Sequence, residues 1–195
     1  MRDVLFVDSC VRGELSRTRR LAEAFLAALP KDCRVTRLNL MEESFQPLWG
    51  QRFQEREALL KSGRLAAAGF APARQFAQAE LVVFAAPFWD LSFPALLKAY
   101  IENISVEGMT FRSTASGLQG LCRATDCVYL VTRGGLYPGD DPLEQGTPYL
   151  RALTQFFGLG TFHCVAADGL DIEGADVEGL LQEAQARAAA LAGTL

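Results

Sequence analysis

The chain begins with a short apolar run of strand-forming residues, "DVLFVD", from Asp3 to Asp8. Leu21, Ala24, Phe25, Ala28 and Leu29 then recur at helical spacing until Pro30 closes the segment. "CRVTRLNL", Cys33 to Leu40, reads as a second strand that breaks phase near Arg37, which places it at a sheet edge. Met41 to Ala79 is helical in composition but interrupted by Gly63, Gly69 and Pro72, and predicts two helices joined by a bend. "LVVFAAP", Leu81 to Pro87, is apolar without alternation, the pattern of a parallel strand buried on both faces. A helix beginning near Ser92, with Pro94 in its first turn, carries Leu96, Leu97, Tyr100 and Ile101. "DCVYLVT", Asp126 to Thr132, and "FHCVAA", Phe162 to Ala167, are two further buried strands. Tyr149–Phe157 and Val177–Leu191 complete the helices. Between them and the earlier elements, "EGMTFRSTASGLQGL", Glu107 to Leu121, reads as a loop that closes a pocket or simply connects its neighbours.

Strands alternating with helices demand right-handed crossovers and a parallel sheet covered on both sides. The expectation is an α/β fold, a flavodoxin-like three-layer sandwich whose five-stranded parallel sheet runs in the order 2-1-3-4-5. No internal repeat or linker divides the chain, so residues 1–195 are expected to form one domain. Ligands of such sheets bind beyond the carboxyl ends of the strands where the order switches. That directs attention to the loops after strands one, three and four.

Composition narrows the function. Half of the residues are hydrophobic and 22% are charged, as in ordinary folded proteins rather than disordered ones. Nineteen basic residues stand against 23 acidic ones, and the basic ones are scattered, which argues against nucleic-acid binding. No apolar run reaches the ~18–20 residues of a membrane span, and the first residues lack a signal-peptide pattern, so a cytoplasmic protein without a membrane partner is expected. Five irregularly spaced cysteines argue against a disulfide framework. Cys122 and Cys127 have no second pair or nearby histidine, so no metal site is expected. There is no GxSxG elbow, and the single histidine, His163, sits in an apolar strand and reads as a satisfied core residue.

Three loops carry candidate chemistry. In "VDSCVRGELSRTRRLAEAFLAAL", Ser9, Ser16 and Thr18 cluster before and at the start of the first helix, whose N-terminal N–H groups attract anions. Arg17 and Arg19 add to that attraction; the alternative is a plain helix cap at Ser16. Neither GxGxxG nor GxxxxGK[ST] is present. Cys10 lies in this loop and is open to redox sensitivity or to an inert role. After the third strand, Phe88 and Trp89 are placed to face a flat ring, with the Asp90 and Leu91 amides reaching its edge; the alternative is a hydrophobic cluster covering the sheet end. After the fourth, Gly134 and Gly135 in "TRGGLYPGDDP" permit close backbone approach to a ligand oxygen that becomes negative, or form a bare turn.

Taken in order, "AAPFWDLSFPALLKAYIENI", "GMTFR" followed by "GL", "TRGG" and "TPYL…FFG" resemble the FMN-dependent NADH-azoreductases, within the flavodoxin-like NAD(P)H:quinone oxidoreductases. The resemblance runs from Asp3 to the last helix and is weakest between Met41 and Ala79. It implies an FMN cofactor whose phosphate meets Ser9, Ser16, Arg17 and Thr18. It implies contact of Phe88, Trp89, Asp90 and Leu91 with the isoalloxazine, and of Thr132, Arg133, Gly134 and Gly135 with the pyrimidine end of the ring. Trp89, Tyr137 and Phe156 would line a substrate pocket built across a homodimer, with Trp49 and Phe53 as candidates for an interface or pocket wall.

The implied activity is a two-step transfer: hydride from NADH or NADPH to flavin N5, then two electrons to a quinone or other small aromatic acceptor. No side chain acts as catalyst, because the cofactor carries the chemistry. Three positions depart from the family pattern. Trp89-Asp90 replaces Tyr-Asn, Leu136-Tyr137 replaces a histidine after the glycines, and Ser113 replaces an aromatic. An ionised Asp90 accepts hydrogen bonds and donates none. A flavodoxin-type electron carrier, an NAD(P)H:FMN reductase that releases its flavin, and a flavin-free regulator remain as alternatives.

Overall fold

The computed structural model describes residues 1–195. The N-terminal apolar run forms β1 (Arg2–Asp8), and Ser16 introduces α1 (Arg17–Ala27). The chain continues through β2 (Cys33–Asn39), α2 (Gly50–Lys61), α3 (Ala71–Gln78), β3 (Leu81–Ala85) and α4 (Ala95–Ile104). A hairpin of β4 (Phe111–Thr114) and β5 (Gly117–Gly120) leads to β6 (Asp126–Thr132), α5 (Gly146–Phe157), β7 (Thr161–Ala167) and α6 (Val177–Ala192). No helix is long and apolar enough to cross a membrane.

The main sheet runs β2-β1-β3-β6-β7, every pair parallel, which is the expected 2-1-3-4-5 once the hairpin strands are set aside. Burial explains the order. Every residue of β3 is buried, as is all of β6 after Asp126, so these strands need a covering layer on each face. Alternation along β1 supplies both layers: Leu5 and Val7 join the core under α3, α4 and α5, while Val4 and Phe6 join the one under α1 and α6. β2 leaves Arg34 and Arg37 exposed and takes the edge.

Five local readings change. β7, read as a buried strand, is the other edge of the sheet and buries only Val165 and Ala167, because it has a neighbour on one side alone. The buried face of α1 is Thr18, Leu21, Ala22, Phe25 and Leu26, turned slightly from the expected stripe because the helix packs on α6 as well as the sheet. Pro94 caps α4 from outside, and Ser92 belongs to the preceding turn. Met41–Ala79 does hold two helices, separated by a stretch that ends in a 3₁₀ turn at Ala68–Phe70. Residues 111–120, read as loop, are the antiparallel hairpin. It docks where Gly120 meets the backbone of Phe157 and Gly158, a contact so close that a methyl at Gly120 would overlap it.

Candidate functional site

The carboxyl ends of β1, β3, β6 and β7 deliver four loops to one edge of the sheet. Ser16 is the N-cap of α1, accepting from the Arg19 amide at 3.2 Å, and is buried. A hydroxyl keeps its own proton to donate while it accepts, so the cap leaves Ser16 one donor for a ligand. The Arg17 and Thr18 amides of this first turn find no acceptor in the chain. Thr18 lies against β6, its hydroxyl 2.6 Å from that of Thr132. Arg17 pairs with Asp171 at 2.7 Å, whereas Arg12 has no partner. Ser9 sits lower, fully buried, with both its amide and its hydroxyl donating to the Ala85 carbonyl. Arg19 is drawn aside by Glu14 at 2.8 Å and lies 3.9 Å from Asp8.

After β3 the chain makes a two-residue turn between Trp89 and Ser92, which exchange both backbone hydrogen bonds at 3.2 and 2.7 Å. Asp90 and Leu91, its central residues, have φ of 47° and 65°. Positive φ at both positions is the type I′ form, and a left-handed leucine costs about 1–2 kcal/mol that other contacts must offset. One is the Gln145 amide, which donates to the Leu91 carbonyl at 2.8 Å. The Asp90 and Leu91 amides stay unengaged within the chain, as do those of Gly134 and Gly135. At Gly134 a methyl would overlap the Asp171 carboxylate, so only glycine fits while Asp171 holds Arg17. The Phe88 ring packs on Tyr137 at 4.6 Å, and Tyr137 also covers Gly135.

These loops enclose a cavity of about 100 Å³ lined by Arg12, Ser16, Arg17 and Thr18 on one side and Trp89, Thr132 and Gly134 on the other. Its size and polar lining suit a group such as a phosphate. Sequence reasoning missed Arg12, Leu170 and Asp171 of this wall. Arg12 stood inside the stretch already singled out, and the loop after β7 is a fourth strand end on the same edge.

Other expected residues lie elsewhere. Arg133 lines the cavity, and its guanidinium is buried against Asp168, Thr147 and Glu144 and lies 6.0 Å over the Phe88 ring. Phe156 stacks on Phe111 at 4.5 Å and opens onto a separate groove of about 770 Å³ with Phe53, Leu60, Ile101 and Leu153. Trp49, 75% exposed, stands at the start of α2 beside that groove. His163 donates through Nε2 to the Asp126 carboxylate at 2.9 Å, near the amino ends of β6 and β7, as a satisfied residue does. The Cys10 thiol is buried, and desolvation, with the Asp8 charge second, raises its pKa well above that of an ordinary thiol. That contradicts the redox-sensitive reading, which needs an accessible thiolate.

Comparison with known proteins gives the family. A family model described as flavodoxin-like fold matches residues 2–192. The FMN-dependent NADH:quinone oxidoreductase of Clostridium perfringens is 35% identical over 200 residues, covering 98% of each chain. This chain belongs to that family. A second member, from Lachnoclostridium phytofermentans, is 33% identical across 98% of each chain. An azoreductase crystal structure from Bacillus anthracis str. Sterne superposes with a TM-score of 0.88 at 27% identity, covering both chains fully. The FMN complex of a FMN-dependent NADH-azoreductase from Bacillus anthracis str. Ames Ancestor shares the fold, with a TM-score of 0.86 at 22% identity. The residues of this chain suit such a cofactor. An anion-sized cavity with a free helix N-terminus, a hydroxyl donor and an unpaired Arg12 matches a phosphate, and two turns with unengaged amides flank it.

Proposed function

We propose that this chain is an FMN-dependent NAD(P)H oxidoreductase that reduces quinones or other small aromatic acceptors, azo compounds among them. When bound, FMN supplies a ring that takes a hydride from NADH or NADPH and passes two electrons on. Everything else is done by the chain. The Arg17 and Thr18 amides, the Ser16 hydroxyl and the Arg12 and Arg17 charges hold the phosphate in the 100 Å³ cavity. The Thr18–Thr132 hydroxyl pair ties that end of the cavity to β6. Amides of the Trp89–Ser92 turn and of Gly134 and Gly135 offer donors to ring heteroatoms, and glycine amides that need no reorganisation suit negative charge developing there. Trp89, 44% exposed at the rim, and Tyr137 would contact the aromatic substrate. Ser9 supports the cavity from beneath, through Ala85.

The observation that carries this reading is an anion-sized cavity at the open N-terminus of α1, lined by Ser16, Arg17, Thr18 and Gly134, with Trp89 bringing to its rim the turn whose central amides, Asp90 and Leu91, are unengaged. We assign the 770 Å³ groove, with Phe53 and Phe156, to the face covered by a second copy, which would bring Phe156 into the substrate pocket. The protein would work in the cytoplasm. The test is a visible spectrum of the purified protein, with the flavin identified after denaturation, then anaerobic addition of NADH or NADPH and of a quinone. FMN bands that bleach with nucleotide and return with quinone are expected. A protein that takes up no FMN refutes the reading; flavin lost on gel filtration points to the NAD(P)H:FMN reductase. Sedimentation at micromolar concentration should give a dimer, and a monomer would reject the second-copy assignment.

A further inference from the structure

Arg133 lines the cavity, and its guanidinium lies between the Phe88 ring, 6.0 Å from the ring centroid, and two carboxylates. Its guanidinium is 7% exposed and donates to Asp168 Oδ1 at 3.1 Å through Nη1 and to Thr147 Oγ1 at 2.8 Å through Nη2. Glu144 Oε2 lies 3.4 Å from Nη2, and Nε is buried without a partner. The main chain of Arg133 is fixed as well: its amide donates to Ala167 and its carbonyl accepts from Leu170. One residue thereby holds the loop after β6, the loop after β7 and the start of α5.

The start of α5 is also where the other flavin-facing turn is anchored. Glu144 Oε1 accepts from the Thr147 amide at 2.9 Å, and the Gln145 amide next to it donates to the carbonyl of strained Leu91. Gly146 completes the junction, since a methyl there would sit 3.1 Å from Glu144 Oε1, 3.2 Å from the Tyr129 hydroxyl and 3.4 Å from the Ser92 carbonyl. Gly134 and Gly135 follow Arg133 directly in sequence. A guanidinium carries five donors in a rigid plane and can grip three segments at once, which an ammonium cannot do with the same geometry. Burying one cation between two carboxylates is costly to solvation and is a poor route to stability alone. Orientation is what such an arrangement supplies.

We propose that Arg133 is a positioning residue that, through Glu144, Thr147 and Asp168, locks the Trp89–Ser92 turn and the Gly134-Gly135 turn in fixed register. The inference rests on the flavin reading for its purpose but not for its first test. That test is amide hydrogen exchange on full-length protein without flavin, comparing wild type with R133K, D168A and D168N. R133K and D168A should speed exchange at Gln145 and Leu170 about tenfold or more, the loss expected when a charge-assisted hydrogen bond goes, while helix α1 exchanges as in wild type. D168N keeps an acceptor oxygen and should restore most of the protection.

The second test is FMN titration of the same proteins by fluorescence quenching, with the absorption spectrum of the bound flavin. R133K and D168A should bind about tenfold or more weakly and shift the bound spectrum, because both turns lose their register together. Wild-type exchange at Gln145 and Leu170 in both variants overturns the proposal. So does a uniform rise in exchange with unchanged FMN affinity and spectrum, which would make Arg133 ordinary structural support. If R133K does not fold, D168A carries both readouts, since Asp168 is partly exposed and takes only one of the guanidinium contacts. Wild type that protects Gln145 and Leu170 in an Arg133-dependent way yet takes up no FMN would sink the flavin reading and leave the clamp standing.

Discussion

Ser16 does two jobs with one oxygen, and substitution separates them. As N-cap it accepts from the Arg19 amide; as a wall of the cavity it has a proton left to donate. Ser16→Ala removes both. Loss of a cap costs ~1 kcal/mol, which for a chain of this length lowers Tm by about 2–4 °C. Loss of a hydrogen bond to a charged phosphate costs ~1.5–3 kcal/mol, or about ten- to a hundredfold in FMN affinity. Ser16→Asp splits the two effects. Aspartate is as good a cap as serine, so apoprotein stability should stay within about 2 °C of wild type. Its carboxylate donates nothing and repels the phosphate; one unit-charge pair at ~4 Å is worth ~4 kcal/mol at an effective dielectric of about 20, so binding should fall further than in Ser16→Ala. Thermal unfolding of the apoproteins by circular dichroism and FMN titration by fluorescence quenching read the two quantities independently. Ser16→Asp binding FMN as tightly as wild type would remove Ser16 from the phosphate site. Ser16→Ala melting like wild type would refute its role as cap.

Gly160→Ala should destabilise the protein without touching the cavity, because Gly160 has φ 71° and a methyl would overlap the Thr125 carbonyl that accepts from Thr161. Left-handed alanine and one lost backbone bond together cost ~2–3 kcal/mol, so a Tm drop under about 2 °C would contradict this account. Burial alone would raise the Asp126 carboxyl, but hydrogen bonds from His163, Arg2 and Thr125 outweigh it and hold the group below its ordinary value of 3.8. A folded-state value depressed in this way contributes stability above the unfolded value, lost as pH falls through the folded one. Wild type should therefore lose stability on acidification below about pH 4, and Asp126→Asn, weaker at pH 7, should show a flatter curve there in urea titrations. Desolvation raises the Cys127 thiol to about 12 and the Cys10 thiol further, so iodoacetamide at pH 8 should leave both unmodified until the protein is unfolded, as peptide mass mapping would show. Labelling of native Cys10 at the rate of a free thiol would contradict its burial.

Much of this molecule is legible from the one-dimensional pattern, for a definite reason. β3 and β6 are apolar at nearly every position, and only a parallel strand with helices above and below buries such a run; that places them centrally and sends Arg34 and Arg37 of β2 to the edge. Because those strands run parallel, the loops after Asp8, Ala85 and Thr132 emerge together beyond their shared carboxyl ends. Ser16 is readable as a cap, and Thr18 and Gly134 as cavity residues, because local chemistry gives them those roles.

The rest depends on partners far along the chain. "RSTASGLQ" has no alternation and only Ala115 and Leu118 as apolar residues, and β4 and β5 pair because Gly120 seats on Phe157 and Gly158 and Phe111 stacks on Phe156. Nothing near Arg133 indicates that its side chain turns inward to Asp168 and Glu144, 35 and 11 positions away, nor that Asp171 reaches back to Arg17. Cys10 sits beside a helix N-terminus in sequence yet is sealed under the sheet end, where burial outweighs any help to its thiolate. Periodicity and cap chemistry are local properties of the chain, whereas the direction of a long side chain and the burial of a small one are set by what the fold packs against them.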